Sequence, residues 1–183
     1  MIVGYLVRLE GSFFFHLMLI VSVVSCLFCS ASSLAAATKE ESVQWVKAHS
    51  RYRALHGVPP VSWSEKLAAG ARSYAETCPT GHSDTSYGEN LSWASYDMGV
   101  NSVVKMWYDE EPQYDYSKPG FVSGVGHFTQ VVWKDTAEIG CARVSGCGPA
   151  GSVMANTWVC RYAPPGNFVS RFSENVLPPL SGK

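Results

Sequence analysis

The feature that most constrains this chain is an apolar run near its beginning. Phe13 to Phe28 is largely hydrophobic, follows Arg8, and precedes small residues that end at Ala37. A basic residue, a short apolar segment and small residues in this order are typical of a secretory signal peptide. We therefore expect residues 1–37 to be a signal peptide that is removed near Ala37. The remaining chain, residues 38–183, would then be secreted and extracellular, with no membrane span.

The expected mature chain keeps an even number of cysteines. The sequence has six, but Cys26 and Cys29 lie in the expected signal peptide. The other four are Cys78, Cys141, Cys147 and Cys160. In an exported protein an even count predicts disulfides, whereas a zinc cluster requires paired short spacings that these four lack. Two disulfides are therefore expected, and the spacing alone does not choose their pairing.

Charge and length limit the partners and the architecture. The formal net charge is −1, and it does not change when Arg8 and Glu10 are removed with the signal peptide. Because the charges are scattered, no basic stripe is available to bind a phosphate backbone. We expect no nucleic-acid partner. The length after cleavage supports a single domain, and the sequence contains no internal repeat.

Three segments have the pattern of helices. Thr38, with a glutamate three residues later, forms a capping box before a predicted helix over about residues 39–56. Ser64 is the expected N-cap of a second helix, whose apolar face would extend to Cys78. Apolar spacing predicts a third helix from about Asp97 to Trp107.

Strands are expected in the last third of the chain. Ile139 to Val144 and Val153 to Tyr162 have the composition of strands and are joined by a glycine-rich turn. Pro112 to Gly126 is a long aromatic loop, and Pro164 to Lys183 is expected to be mostly irregular. Helices followed by strands predict an α+β fold, with helices packed on the faces of a small sheet.

Three tracts carry a resemblance to a known family. Gly126 to Trp133 reads Gly-His-Phe-Thr-Gln-Val-Val-Trp and is followed by Ile-Gly-Cys-Ala at Ile139 to Ala142. The other tracts are Tyr87 to Leu91 and Trp158 to Phe168. Together they resemble the signatures of the CAP family of cysteine-rich secretory proteins, antigen five and plant pathogenesis-related proteins. The resemblance implies one CAP domain with a core of about residues 43–168 and an irregular C-terminal tail.

The resemblance also implies details of the fold. It implies an α-β-α sandwich, with helices on both faces of a small, mostly antiparallel sheet. It implies the disulfides Cys78–Cys141 and Cys147–Cys160, the second of which would join the two predicted strands. The chain departs from the family pattern at several positions, among them Arg161, where an asparagine is usual.

CAP proteins have a cleft lined by two histidines and two glutamates. The matching positions here are His82, Glu89, Glu110 and His127. Helical spacing does not choose between Glu110 and Glu111, but the family's Trp-x-x-Glu pattern selects Glu110. Neutral imidazoles and carboxylates suit zinc or another divalent cation. The same side chains would also satisfy one another by hydrogen bonds without a metal, so both interpretations stay open here.

The aromatic loop resembles, in its position, the CAP loop implicated in sterol binding. Tyr114, Tyr116 and Phe121 lie in this loop, with proline and glycine beside them. Aromatic rings next to glycine can open an apolar slot for a flat ligand. The alternative interpretation is that these rings cover the core.

The resemblance implies a secreted protein of the pathogenesis-related type. We expect it to bind a sterol or other lipid, or an extracellular protein partner, in a defence role and without catalysis. The sequence has no His-Glu-x-x-His helix and no Gly-x-Ser-x-Gly elbow. Gly146 to Gly151 has the spacing of a dinucleotide fingerprint but lies between two predicted strands, so no organic cofactor is expected. The alternatives are a metal-dependent hydrolase that uses the cleft and a precursor of a C-terminal signalling peptide.

Overall fold

The described part of the chain begins with a long helix. The computed structural model describes residues 39–148 and 152–181. Residues 39–55 are helical (α1), in agreement with the predicted helix, and Gly57 follows with a φ of 65°, which suits glycine after a helix end. Thr38 and the predicted signal peptide lie outside the described residues. No helix within residues 39–148 or 152–181 is long and apolar enough to cross a membrane.

The second helix is shorter than its sequence pattern predicted. α2 spans Glu65–Ala75, and Ser64 takes the N-cap position, although its hydroxyl makes no capping hydrogen bond. Cys78 lies beyond the end of α2 with a φ of 52°, so it does not continue the apolar face of that helix. The later helical segments are α3 (Gly99–Tyr108), a 3-10 turn (Glu111–Gln113), α4 (Gly126–Val131) and α5 (Phe172–Asn175).

Within residues 39–148 and 152–181, four strands form one sheet. They are β1 (Ser62–Trp63), β2 (Gly88–Ala94), β3 (Glu138–Ser145) and β4 (Asn156–Ala163). The order across the sheet is β1-β3-β4-β2, with β4 antiparallel to both of its neighbours and β1 parallel to β3. The two predicted strands correspond to β3 and β4, whereas β1 and β2 were not predicted.

Helices cover both faces of this sheet. Cys160 and Tyr162 of β4 belong to the larger core cluster, which also contains residues of α1, α3 and α4. Val159, which points to the opposite face, belongs to a second cluster with Ala71 and Ala75 of α2. The expected α+β fold, an α-β-α sandwich around a mostly antiparallel sheet, is therefore confirmed.

The predicted disulfide pairing is wrong, and the two faces of the sheet explain why. The structure pairs Cys141 with Cys160 and Cys78 with Cys147. Cys141 and Cys160 lie directly opposite each other on β3 and β4, and both belong to the larger core. Cys78 follows α2 on the other face, where the sulfur of Cys147 lies 3.8 Å from the carbonyl oxygen of Ala75. A bond between Cys78 and Cys141 would have to pass through the sheet.

A buried arginine connects α1 to the chain around α4. Arg53 has no exposed surface, and its guanidinium donates hydrogen bonds to main-chain carbonyls at distances of 2.7–3.3 Å. The acceptors are Pro59, Val131, Trp133, Lys134 and Thr136. Within the described residues no carboxylate pairs with it. Burial lowers the pKa of Arg53 to about 10, so the side chain is still cationic at neutral pH.

His49, one turn earlier on α1, is buried and neutral. Its Nδ1 donates to the carbonyl of Trp45 at 2.9 Å, and its Nε2 accepts from the hydroxyl of Tyr162 at 2.9 Å. Burial lowers the pKa of His49 to about 4, although the hydrogen bond to Trp45 acts in the opposite direction. The larger core therefore contains a histidine that resists protonation.

The contact between α2 and β3 requires a glycine. A Cβ on Gly140 would lie 2.1 Å from the backbone nitrogen of Ala68 and 2.5 Å from the carbonyl carbon of Leu67. These are main-chain atoms of α2, so they can move only if the helix moves. The distance between α2 and the sheet therefore depends on the missing side chain of Gly140.

We expect Gly140→Ala to lower the free energy of unfolding by roughly 3 kcal/mol, because the helix must shift to admit the methyl group. Urea unfolding would measure this. Gly120→Ala is the matched control, since a Cβ there meets no described atom within 4 Å, and its effect should stay within about 0.5 kcal/mol. A Gly140→Ala protein as stable as the wild type would contradict this packing.

We expect the protein to lose stability in mild acid because of His49. The unfolded chain takes up this proton near the ordinary histidine pKa of 6.5, whereas the folded protein takes it up only near 4. Between these values the unfolded state binds more protons, so the free energy of unfolding should fall by roughly 3 kcal/mol as the pH drops across the window. Urea unfolding as a function of pH should show a shallower slope for His49→Gln, and an unchanged slope would contradict the prediction.

Candidate functional site

The four predicted cleft residues line one cleft of about 220 Å³. His82 comes from the loop before β2, and Glu89 is the second residue of β2. Glu110 is the second residue after the end of α3 and precedes the 3-10 turn, and His127 lies in the first turn of α4. Residues that are distant in sequence are thus brought together by the packing of β2, α3 and α4.

Glu89 is held on the inner side of the cleft. Its side chain is 3% exposed, and it accepts hydrogen bonds from His82 Nδ1 at 3.1 Å and from the Ser83 backbone N–H at 2.9 Å. The Ser83 hydroxyl donates to its other oxygen at 2.7 Å. Burial by itself would raise the pKa of Glu89, but the hydrogen bonds from His82 and Ser83 together lower it below its usual value. Glu89 is therefore a fixed carboxylate.

Glu110 is hydrogen-bonded to the second histidine, His127, as Glu89 is to His82. Its carboxylate accepts hydrogen bonds from His127 Nδ1 at 2.6 Å and from the backbone N–H groups of His127 and Phe128 at 2.9 and 3.1 Å. These N–H groups lie at the start of α4, where helical donors have no partner within the helix. Glu111 instead accepts a hydrogen bond from the Tyr116 hydroxyl, so Glu110 is the glutamate that enters the cleft.

The carboxylates determine the tautomer of both histidines. A carboxylate only accepts hydrogen bonds, so Nδ1 of His82 and of His127 must carry the proton. In the neutral ring, Nε2 then keeps its lone pair, and within the described residues neither Nε2 makes a hydrogen bond. The ring of His127 also stacks on Trp107 at a centroid distance of 6.2 Å. Both rings are thus oriented by a hydrogen bond at Nδ1.

Histidines whose Nδ1 is hydrogen-bonded to a carboxylate are chemically suited to bind a cation through Nε2. Carboxylates that hold ligand histidines through Nδ1 are the common outer partners of metal sites. Among residues 39–148 and 152–181, no group of three or more His, Cys, Asp or Glu is spaced to hold a metal ion. His82 and His127 would therefore supply the protein ligands, and water or an added ligand would complete the coordination. In the structure each glutamate is hydrogen-bonded to Nδ1 of one of these histidines.

The three aromatic residues of the loop have different surroundings. Tyr114 is buried in the larger core, with its ring 5.8 Å from that of Phe128. Tyr116 packs against the same core and donates its hydroxyl to Glu111 at 2.9 Å. Phe121 is 58% exposed and lines the cleft. Of the three, therefore, only Phe121 has its ring available at the candidate site.

Sequence reasoning missed several polar residues that build the cleft. Ser83 holds Glu89, and Asn90, which is 1% exposed, donates to the carbonyl of His127 at 3.1 Å. Asn167 lines the cleft in a left-handed conformation with a φ of 62°, and it accepts a hydrogen bond from Thr129 at 2.6 Å. Asn90 and Asn167 belong to the motif tracts that carried the resemblance, but their spacing gave no indication of these bonds.

The sequence is similar to proteins of one known family. The model of the CAP, or cysteine-rich secretory protein, family matches residues 46–162. Golgi-associated plant pathogenesis-related protein 1 of Homo sapiens is 41% identical over 153 residues, an alignment that covers 78% of this chain and 96% of that protein. Pathogenesis-related protein 1 of Arabidopsis thaliana is 36% identical over 152 residues, covering 81% and 91%.

Solved structures support the fold. NaASP2, crystallised with Zn²⁺, superposes with a TM-score of 0.58 at 20% identity, covering 77% of this chain and 87% of that one. BmVAL-1 superposes with a TM-score of 0.57 at 24% identity, covering 70% and 79%. At these sequence identities the superpositions support the assignment of the fold and nothing further. The family match and the two sequence relatives go further, and they show that this chain belongs to the CAP family of cysteine-rich secretory proteins.

Proposed function

We propose that this chain is an extracellular binding protein whose cleft holds a divalent cation, zinc in the first place, between His82 and His127. The observation that carries the proposal is the pair of carboxylate–histidine contacts. Each glutamate is hydrogen-bonded to Nδ1 of one histidine and so orients the Nε2 atom of that ring. The crystal structure of NaASP2 with Zn²⁺, a protein of the same fold, is consistent with the choice of metal.

The hydrogen bonds of the glutamates favour binding over catalysis. A general acid or base must be able to exchange a proton with a substrate. Glu89 already accepts from His82 and from both donors of Ser83, and Glu110 accepts from His127 and Phe128. Each carboxylate thus accepts three of the about four hydrogen bonds that its oxygens can accept, which favours a role in orienting the histidines.

The extracellular assignment rests on the disulfides. Two disulfides, Cys78–Cys147 and Cys141–Cys160, persist in an oxidising compartment and are uncommon in the cytosol. A defence role is proposed because the sequence relatives include Pathogenesis-related protein 1 of Arabidopsis thaliana.

A second candidate function is the binding of a sterol or another lipid at the edge of the cleft. Large apolar side chains on two segments beside the cleft are more than half exposed: Phe121, Val122, Phe168 and Val169. Phe121 and Asn167, which precedes Phe168, both line the cleft. We propose this edge, and not the buried Tyr114, as the contact for an apolar ligand.

We expect zinc to bind the wild-type protein and to bind His127→Ala at least tenfold more weakly, because one of two ligands is lost. Glu110→Gln should weaken binding by about tenfold or more, since it removes the carboxylate that orients His127. Isothermal titration calorimetry would measure both. Zinc at 100 times its Kd should also add about 2.7 kcal/mol to the free energy of unfolding.

Glu111→Gln is the matched control for this experiment, because Glu111 contacts Tyr116 and not a histidine. Its zinc affinity should equal that of the wild type. Equal affinities for the wild type and His127→Ala would show that zinc does not bind in the cleft.

We expect the double variant Phe121→Ser, Val122→Ser to bind cholesterol about fivefold or more weakly, because it removes exposed apolar surface beside the cleft. A cholesterol-binding assay on the secreted protein would measure the loss. Tyr96→Ser is the control, since Tyr96 is 66% exposed and lies between β2 and α3, outside the cleft lining. Unchanged cholesterol retention in the double variant would exclude this edge as the ligand contact.

A further inference from the structure

A partly exposed arginine, Arg161, lies beside the Glu89 carboxylate of the cleft. Nε of Arg161, on β4, is 3.7 Å from Oε2 of Glu89, and the two side chains are 16% and 3% exposed. Nη2 of Arg161 approaches the Ser83 hydroxyl at 3.4 Å. Within the described residues Nε makes no hydrogen bond. The main interaction of this guanidinium with the cleft is therefore its charge on Glu89.

The helix on that face is built to admit the arginine. Gly70 lies in the interior of α2, and a Cβ at this position would be 2.4 Å from Nη1 of Arg161. Glycine is unfavourable inside a helix, so its presence here needs a reason. The reason is that Gly70 leaves room for the guanidinium of Arg161. The packing of α2 on the sheet therefore accommodates the arginine in this position.

Three hydrogen-bond donors other than Arg161 hold Glu89 in place. The Ser83 backbone N–H, the Ser83 hydroxyl and His82 all donate to the same carboxylate at 2.7–3.1 Å. Removing the guanidinium would remove its 3.4 Å hydrogen bond to the Ser83 hydroxyl but none of these three donors. The contribution of Arg161 to the cleft is therefore electrostatic, because it offsets one of the two negative charges that face the histidines.

We infer that Arg161 lowers the affinity of the cleft for divalent cations. This inference rests on the proposed function, because it concerns the same pair of histidines. A positive charge next to Glu89 opposes the approach of a second cation, and at a low effective dielectric constant this repulsion persists over several ångströms. Arg161 is thus a residue that sets cation affinity without being a ligand, and it favours exchangeable binding.

The test is zinc titration calorimetry on the wild type and on Arg161→Gln, both as the complete secreted protein. Arg161→Gln should bind zinc about three- to tenfold more tightly, and the difference should shrink at high ionic strength. The direction of the change is informative, because a merely damaged cleft would bind zinc more weakly. Arg143→Gln is the matched control: Arg143 lies on β3 and pairs with Asp97, so the same change of net charge there should leave the affinity unaltered.

Equal or weaker zinc binding by Arg161→Gln would overturn the inference, and so would equal tightening by Arg143→Gln. If the wild type itself binds no zinc, the proposed function fails, and the ion pair is then tested without metal. A double-mutant cycle of Arg161→Gln and Glu89→Gln, measured by urea unfolding, should give a favourable coupling between the two side chains. Additive effects in that cycle would show that Arg161 does not act on Glu89.

Discussion

The hydrogen bonds of Arg53 to five main-chain carbonyls hold the larger side of the molecule together. A buried guanidinium is stable only if its donors are satisfied, and here the acceptors lie after α1, at the last residue of α4 and in the segment that follows α4. α4 is a short helix of six residues and has little stability of its own. Its attachment to α1 through Arg53 therefore helps to fix the place of His127, and with it one half of the cleft.

The sheet transmits a second constraint to the site. Alternation along β2 sends Glu89 towards Ser83 and Arg161, and sends Asn90 towards the carbonyl of His127. Two consecutive residues thus serve the cleft from opposite faces of one strand. A shift of one residue in the pairing of β2 with β4 would exchange these two positions. The correct strand register is therefore required to place both side chains at the cleft.

The predictable parts of this fold are those with a long pattern or a complete motif. α1, α3, β3 and β4 have enough residues for their apolar spacing to be recognised. β1 has two residues and α4 has six, and β2 begins with Gly-Glu-Asn, which is more typical of a loop than of a strand. Glu89 and His127 could be proposed as cleft residues because each lies inside a motif tract that is recognisable in the sequence.

Three-dimensional neighbours could not be predicted in the same way. The disulfide pairing depends on which face of the sheet each cysteine occupies. The predicted pairing did not take into account that Cys141 and Cys160 lie opposite each other on adjacent strands and point to the same face. Tyr114 and Phe121 looked equivalent as aromatic residues of one loop, but the first packs on Phe128 and the second is exposed. The role of Ser83 depends on a contact across the loop before β2, for which the sequence has no periodic signal.

The burial of Asn90 has a consequence for the biosynthesis of the protein. Asn90-Leu91-Ser92 is an N-glycosylation sequon, but in the folded protein the Asn90 amide donates to a carbonyl and is 1% exposed. A glycan on that nitrogen would disrupt the buried hydrogen bond to His127, so glycosylation and folding oppose each other at this position. In a cell that attaches glycans to the chain as it emerges, folding would compete in time with oligosaccharide transfer, and we expect Asn90 of the folded protein to be unmodified.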